Sequence, residues 1–242
     1  MKTTFIVFVA FSLCLSVLAQ DKPVAGKDAA VKAYAEGRYA DAVRLFAAEL
    51  AKEEAKPKPD WVALSYLNDQ VGNSLRRDGQ YDKALEFLHK SLAIDLKNHG
   101  KNHLYVAIGY NNIEMVHDKK GDSDKALEFY HKSLAIFLVK LGKDHLDVAK
   151  TYNNIGIVHR AKAEYDKALE FYHKSLAIDL VKLGKDHPSV GLTYYNMALT
   201  YGAKKNVIKE KELLRKAYAI QLKKLGKDHP DTKKTARALA SP

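Results

Sequence analysis

Cysteine is almost missing from this chain: Cys14 is the only one among 242 residues, so no intrachain disulfide can form and packing alone must hold the fold. Proline is scarce as well, with six in all, which leaves long stretches free to be helical. No glycine-rich loop for cradling phosphate, no HExxH and no nucleophile motif is present. Glu86, Glu128 and Glu170 are one column repeated, not two carboxylates in unlike surroundings, so no acid/base pair is implied. The longest apolar run, Phe5 to Leu15, is shorter than the roughly 18–20 residues that span a bilayer. Lys2 precedes that run and Val17, Leu18 and Ala19 follow it, the pattern of a secretory signal cut after Ala19. A membrane anchor and a lipoprotein signal at Cys14 are the rival readings, and Leu13 stands where the latter needs a small residue. Export to a periplasm or out of the cell is the expectation.

Positive charge is in excess, with 40 Lys and Arg against 29 Asp and Glu and a formal charge of +11. It is spread over pairs such as Lys119–Lys120, Lys204–Lys205, Lys223–Lys224 and Lys233–Lys234, which reads as a solvated surface. The same cations could steer an acidic partner or hold the chain at an anionic envelope surface. Nucleic acid is not expected, because basic residues are not interleaved with aromatics and the chain reads as exported.

What the chain has in abundance is itself. KALEFYHKSLAI occurs at 125–136 and at 167–178, and KALEFLHKSLAI at 83–94, a period of 42 residues. Gly100, Gly142, Gly184 and Gly226 keep that period, each three residues before His103, His145, His187 and His229. A period of this size marks a stacked array whose units bury their apolar faces only against neighbours. A turn column of Gly37, Gly79, Gly121, Ala163 and Lys205 implies five units. Before each turn apolar residues fall at helical spacing, as in Tyr152, Ile155 and His159; after it a longer helix carries Ala168, Tyr172, Leu176 and Leu180.

The expected organisation is therefore a signal peptide at 1–19, a linker at 20–26, five helix pairs at about 27–56, 60–98, 103–141, 145–183 and 187–225, and a capping helix and tail at 229–242. Pro57 and Pro59 make 55–60 a linker. In the Leu-Gly-Lys-Asp-His loops, glycine is expected to close one helix in a left-handed conformation, and aspartate or histidine to cap the next.

Tyr152, Ile155, Gly156, His159, Ala168, Tyr172 and Ser175 follow the large, aliphatic, small, aromatic, alanine, aromatic, small pattern, and in it the chain resembles the tetratricopeptide repeat family. The 42-residue length, the YNN starts at 110–112 and 152–154 and the GKDHP loop are similar to the kinesin light chain variant. Departures are Asn68 and Glu114 in packing columns, Leu75 where an aromatic is usual, and Glu210 where alanine is usual. The apolar leader also sets the chain apart from a cytosolic motor subunit. The resemblance implies an all-α fold, a right-handed superhelical solenoid of antiparallel helix pairs, with first helices lining a concave groove for a peptide or protein.

The helical wheel divides the first helices in the same way. In the third pair Tyr110, Ile113, Glu114 and His117 share one face, and Ile108, Asn111, Met115, Asp118 and Lys119 the opposite one. By phase the groove stripe collects Tyr66, Asp69, Asn73, Arg76 and Arg77, then Asn111, Met115 and Lys119, then Lys150, Asn153, Ile157 and Arg160, then Leu192, Tyr195 and Leu199. Cations, amides and apolar patches together suit an extended, acidic peptide. The second asparagines, Asn112, Asn154 and Asn196, lie at the margin, where they can bond a neighbouring helix.

Histidines recur through His89, His103, His117, His131, His145, His159, His173 and His187 because three columns are each repeated, which carries no metal signal. Only His99 and His103 have the spacing of a helical metal pair, and His99 ends a helix beside Gly100. The expectation is a non-catalytic interaction module without cofactor or metal. Its alternatives are an assembly subunit that packs through convex faces or ends and, more remotely, a hidden enzyme or metal binder.

Overall fold

The computed structural model describes residues 27–241. The leader at 1–19, its cut after Ala19 and the linker at 20–26 lie outside the described residues. The chain forms α1 (Lys27–Ala35), α2 (Tyr39–Glu54), α3 (Trp61–Arg77), α4 (Tyr81–His99), α5 (Leu104–Lys120), α6 (Ser123–Leu141), α7 (Leu146–Ala161), α8 (Tyr165–Leu183), α9 (Pro188–Ala203), α10 (Val207–Leu225) and α11 (Pro230–Ala240), with no strand among the described residues. They gather into two compact units, one ending at Gly121 and the other beginning at Asp122.

Within each unit every helix packs on the next in sequence. The first unit buries Ala33, Phe46, Leu67, Val71, Leu88 and Val106; the second buries Val148, Ile155, Tyr172, Val190, Met197 and Leu214. Small residues decide how closely paired helices approach. A Cβ on Gly72 would lie 2.7 Å from Leu88, and one on Gly156 2.6 Å from Tyr172, so both positions admit only hydrogen. Repeats are also tied by charge: Lys120 pairs with Asp82 at 2.5 Å in the first unit, and Lys162 with Asp124 and Lys204 with Asp166 in the second.

Turns and caps carry one difference from expectation and one choice between two expected residues. The loop glycines do take positive φ, but with ψ near 160° rather than near the left-handed helical value (Gly100 78°/164°, Gly184 80°/162°). The reason is that the glycine opens a turn that closes on the histidine, whose N–H donates to the carbonyl of Gly142, Gly184 or Gly226 at 3.2–3.4 Å. The left-handed closure sits instead in the turn within a pair, at Gly121 (79°/10°), where the same column forces Ala163 (φ 60°) and Lys205 (φ 61°) into a region costly for side chains. Of the two expected caps, the next helix takes histidine rather than aspartate. Nδ1 of His103, His145, His187 and His229 accepts the N–H of Tyr105, Asp147, Ser189 and Asp231 at 3.2–3.3 Å.

The last helix meets α10 through a polar seam. Thr232 and Thr235 are buried at 1 % exposure and Gln221 at 2 %, and the two hydroxyls and the Gln221 Oε1 have no hydrogen-bond partner. Thr232 occupies the column that Val106, Val148 and Val190 fill earlier. Lys211 fastens the far end by donating to the carbonyls of Leu239 (3.0 Å) and Ser241.

Candidate functional site

The candidate site is the stripe on the first helix of each pair, and each unit carries its own portion. On α3, Asp69 is the hub. It accepts from Asn73 Nδ2 at 3.1 Å, from Gln70 at 3.4 Å and from Asn112 Nδ2, on α5, at 2.5 Å. Burial pushes its carboxyl up to about 6, nearby Asp95 adds to the rise, and the Asn112 and Asn73 bonds and Arg76 oppose it. Arg76 is half-buried with Nε unpaired, and burial lowers its guanidinium below the usual arginine range. Arg77 turns away: it donates to the Tyr39 hydroxyl at 2.6 Å and stacks 5.0 Å from that ring. Tyr66 is half-buried beneath Lys27, 5.6 Å from its centroid. On α5, Asn111 and Met115 are half-buried and Lys119 is exposed.

On α7, Lys150 is exposed, with Asp147 3.5 Å away. Asp179, buried on α8, is pushed up to about 6 by burial, with Lys150 as the opposing charge. Further along α7, Ile157 packs against the core, and Arg160 is half-buried beside the Tyr172 hydroxyl with Nε lacking an acceptor. No ion pair engages Arg160 among the described residues. On α9, Leu192 is 45 % exposed and Leu199 half-buried. Two cations with an apolar rim can hold an extended acidic chain by charge-assisted hydrogen bonds.

Three residues expected to line the stripe are enclosed instead. Asn73 is buried because its amide turns back to the Asp69 carbonyl and carboxylate. Asn153 is buried because its Oδ1 accepts from Asn196 at 3.1 Å. Tyr195 is buried because α11 lays Lys234 over its ring, 4.9 Å from the centroid. The margin asparagines thus tie one repeat to the next, since Asn112 and Asn196 each reach the first-of-pair residue one repeat back, 43 positions earlier. The signal was the period itself, offset by one.

The histidines serve structure. His159 is buried, stacks on Phe171 at 5.3 Å and meets Glu164 at 2.6 Å. His99 and His103 lie face to face at 4.0 Å and 7°, between Trp61 and Tyr105. Parallel rings do not aim their nitrogens at a shared point, and His103 Nδ1 is committed to its helix cap, so the pair is not a chelate.

A family model described as tetratricopeptide repeat matches residues 61–138, 115–180 and 147–223. A search of curated proteins returned no match. Among solved structures the chain is similar to BtubC (BKLC) from P. vanneervenii, at 26 % identity and a TM-score of 0.72, covering 83 % of this chain and 80 % of that one. It is also similar to a kinesin light chain structure from Podosopora anserina with nearly identical TPR-like repeats, at 20 % identity and a TM-score of 0.71, covering 88 % and 96 %. Aspartyl phosphate phosphatase F from Bacillus subtilis shares the fold alone, at 13 % identity and a TM-score of 0.73, covering 94 % and 59 %. No helix among the described residues is long and apolar enough to cross a membrane.

Proposed function

Because this chain belongs to the tetratricopeptide repeat family, whose arrays are typically protein-interaction scaffolds, we propose that it is an exported, non-catalytic module that binds a protein or peptide along its first-helix stripes. The observation that carries the reading is Arg160: a half-buried guanidinium with no carboxylate partner among the described residues, on the same helix as Ile157 and exposed Lys150. A ligand with an acidic side chain or terminus would supply the missing acceptor, and little ordering cost falls on packed helices. Arg76 plays the corresponding part in the first unit, where Asp69 lies close to it; Arg77, bonded to Tyr39, does not.

The test places a photo-cross-linker at Leu199 and, as control, at Ile208, which is 87 % exposed on α10. Specific adducts with envelope or secreted proteins are expected from Leu199 and should disappear when Arg76 and Arg160 are changed to Glu in a chain that stays helical. Adducts that survive those changes, or form only at Ile208, would favour the second reading. That reading, an assembly subunit packing through its ends, draws on the exposure of Val207 and Ile208.

A further inference from the structure

The second unit has another surface that the stripe does not use. The chain reads LVKLGKDH at 138–145 and 180–187 and LKKLGKDH at 222–229, each time at the last turn of α6, α8 or α10 and the loop after it. Because paired helices run antiparallel, these three segments lie at one edge of the unit. Val139 is 78 % exposed and Val181 81 %, with Leu180 at 36 % and Leu222 at 41 % beside them. A single exposed valine means nothing. The same register left bare twice, next to a leucine column also reaching solvent, is a built feature.

The charge at this edge is unbalanced. Two of its aspartates are engaged, Asp186 by Lys223 at 2.5 Å and Asp228 by Lys233 at 3.1 Å. Lys140, Lys143, Lys182, Lys185, Lys224 and Lys227 enter no ion pair among the described residues. Between the second and third segments lies an open cleft of about 310 Å³ whose walls include Lys185, Lys224, His187, Pro188 and Asp186, whose carboxylate is held by Lys223. Lys224 contributes to holding the His187 imidazole below its usual range, as expected where positive potential gathers, though burial is the larger cause.

We propose that this edge is a docking surface for an anionic lipid bilayer, with Val139, Val181, Leu180 and Leu222 entering the headgroup layer and the six lysines facing its phosphates. The cleft then receives one headgroup phosphate between Lys185 and Lys224. Apolar tips among lysines whose stems can lie along them are the chemistry of an interfacial anchor. A protein partner fits less well, since protein interfaces are depleted in lysine and draw their energy from aromatic and arginine anchors, and the three segments contain neither. This edge and the first-helix stripe are separate surfaces, so either can bind without the other.

The experiment is co-sedimentation of the full chain with vesicles of phosphatidylcholine alone and of phosphatidylcholine and phosphatidylglycerol in equal parts. The readout is the ratio of anionic to neutral binding, so any contribution from the apolar run at 5–15 cancels. The ratio is expected to fall at least about tenfold for Lys182→Glu/Lys185→Glu/Lys224→Glu and severalfold for Val139→Asp/Val181→Asp. It should hold for Lys125→Glu/Lys167→Glu/Lys205→Glu, which reverses as many charges at the opposite edge. Helicity is checked for each variant by circular dichroism. The proposal is overturned if the unaltered chain shows no preference for anionic vesicles. It is equally overturned if the opposite-edge variant loses as much as the first, because net charge would then explain everything, or if the valine substitutions change nothing.

Discussion

Asp69 stands where the next two repeats carry Asn111 and Asn153, and it is the one carboxylate of that column. Two asparagine side chains donate to it, yet burial still raises its carboxyl to about 6, above the ordinary 3.8. The folded chain therefore binds this proton more tightly than the unfolded one. The group's favourable contribution is fully present below about pH 4 and is lost as pH rises through 6. Asp69→Asn keeps an acceptor for Asn112 and removes the buried charge. It should raise stability by about 1–2 kcal/mol at pH 7 and leave it unchanged near pH 4, measured by urea unfolding at both. An equal gain at both pH values would mean that packing, not ionisation, was responsible. Asp179 titrates in the same direction and persists in the variant, so some pH dependence remains.

At the scale of helices, the unusual part is a cap made by an imidazole. Nδ1 can accept the Ser189 N–H only when the ring is neutral and the other nitrogen carries the proton. Burial, with Lys224 adding, lowers the His187 value below 6.5, the reverse of the Asp69 case. Its stabilisation is present above about pH 6.5 and lost as pH falls through the lowered value. His187→Asn, which caps without titrating, should remove about 1 kcal/mol of the stability difference between about pH 7.5 and 5.5. His187→Ala should be less stable than the parent at the higher pH by a similar amount. Helix existence and order were legible because a 42-residue period and a 3.6-residue period agreed in several columns. The caps were half legible: the loop column named histidine and aspartate together, and only backbone geometry chose between them. Depth on the stripe was not legible, because a helical wheel gives direction and not cover. Asn196 bonds Asn153 and Lys234 lies over Tyr195, cover that no wheel displays.

Taken over the whole chain, duplication accounts for both what repeats and what does not. Lys120–Asp82, Lys162–Asp124 and Lys204–Asp166 recur because each repeat presents the next with the same surface. Ile208 stands where that ladder's aspartate would come again, and it is 87 % exposed. The departures in sequence sort accordingly. Asn68 donates to the Leu64 carbonyl of its own helix, and Glu114, 1 % exposed, fills a column that is otherwise Gly72, Gly156 and Ala198.

The threonine seam beneath α11 sets an order of release. Where earlier repeats press valine against their neighbours, Thr232 presses a hydroxyl. Thr235 stands in the column of Thr151 and Thr193, whose hydroxyls donate to the Asp147 and Ser189 carbonyls, while its own has no acceptor. Unbonded buried hydroxyls each forfeit about 1–3 kcal/mol of hydration. Unravelling of the second unit should therefore start at its carboxyl end, with α11 amides exchanging with deuterium well before those of α8 or α9. Thr232→Val should slow exchange in α11 by about fivefold, equivalent to ~1 kcal/mol, without altering α8. The helix that seals the stack is then also its latch: by lifting Lys234 it uncovers Tyr195 before any other part of the unit has moved.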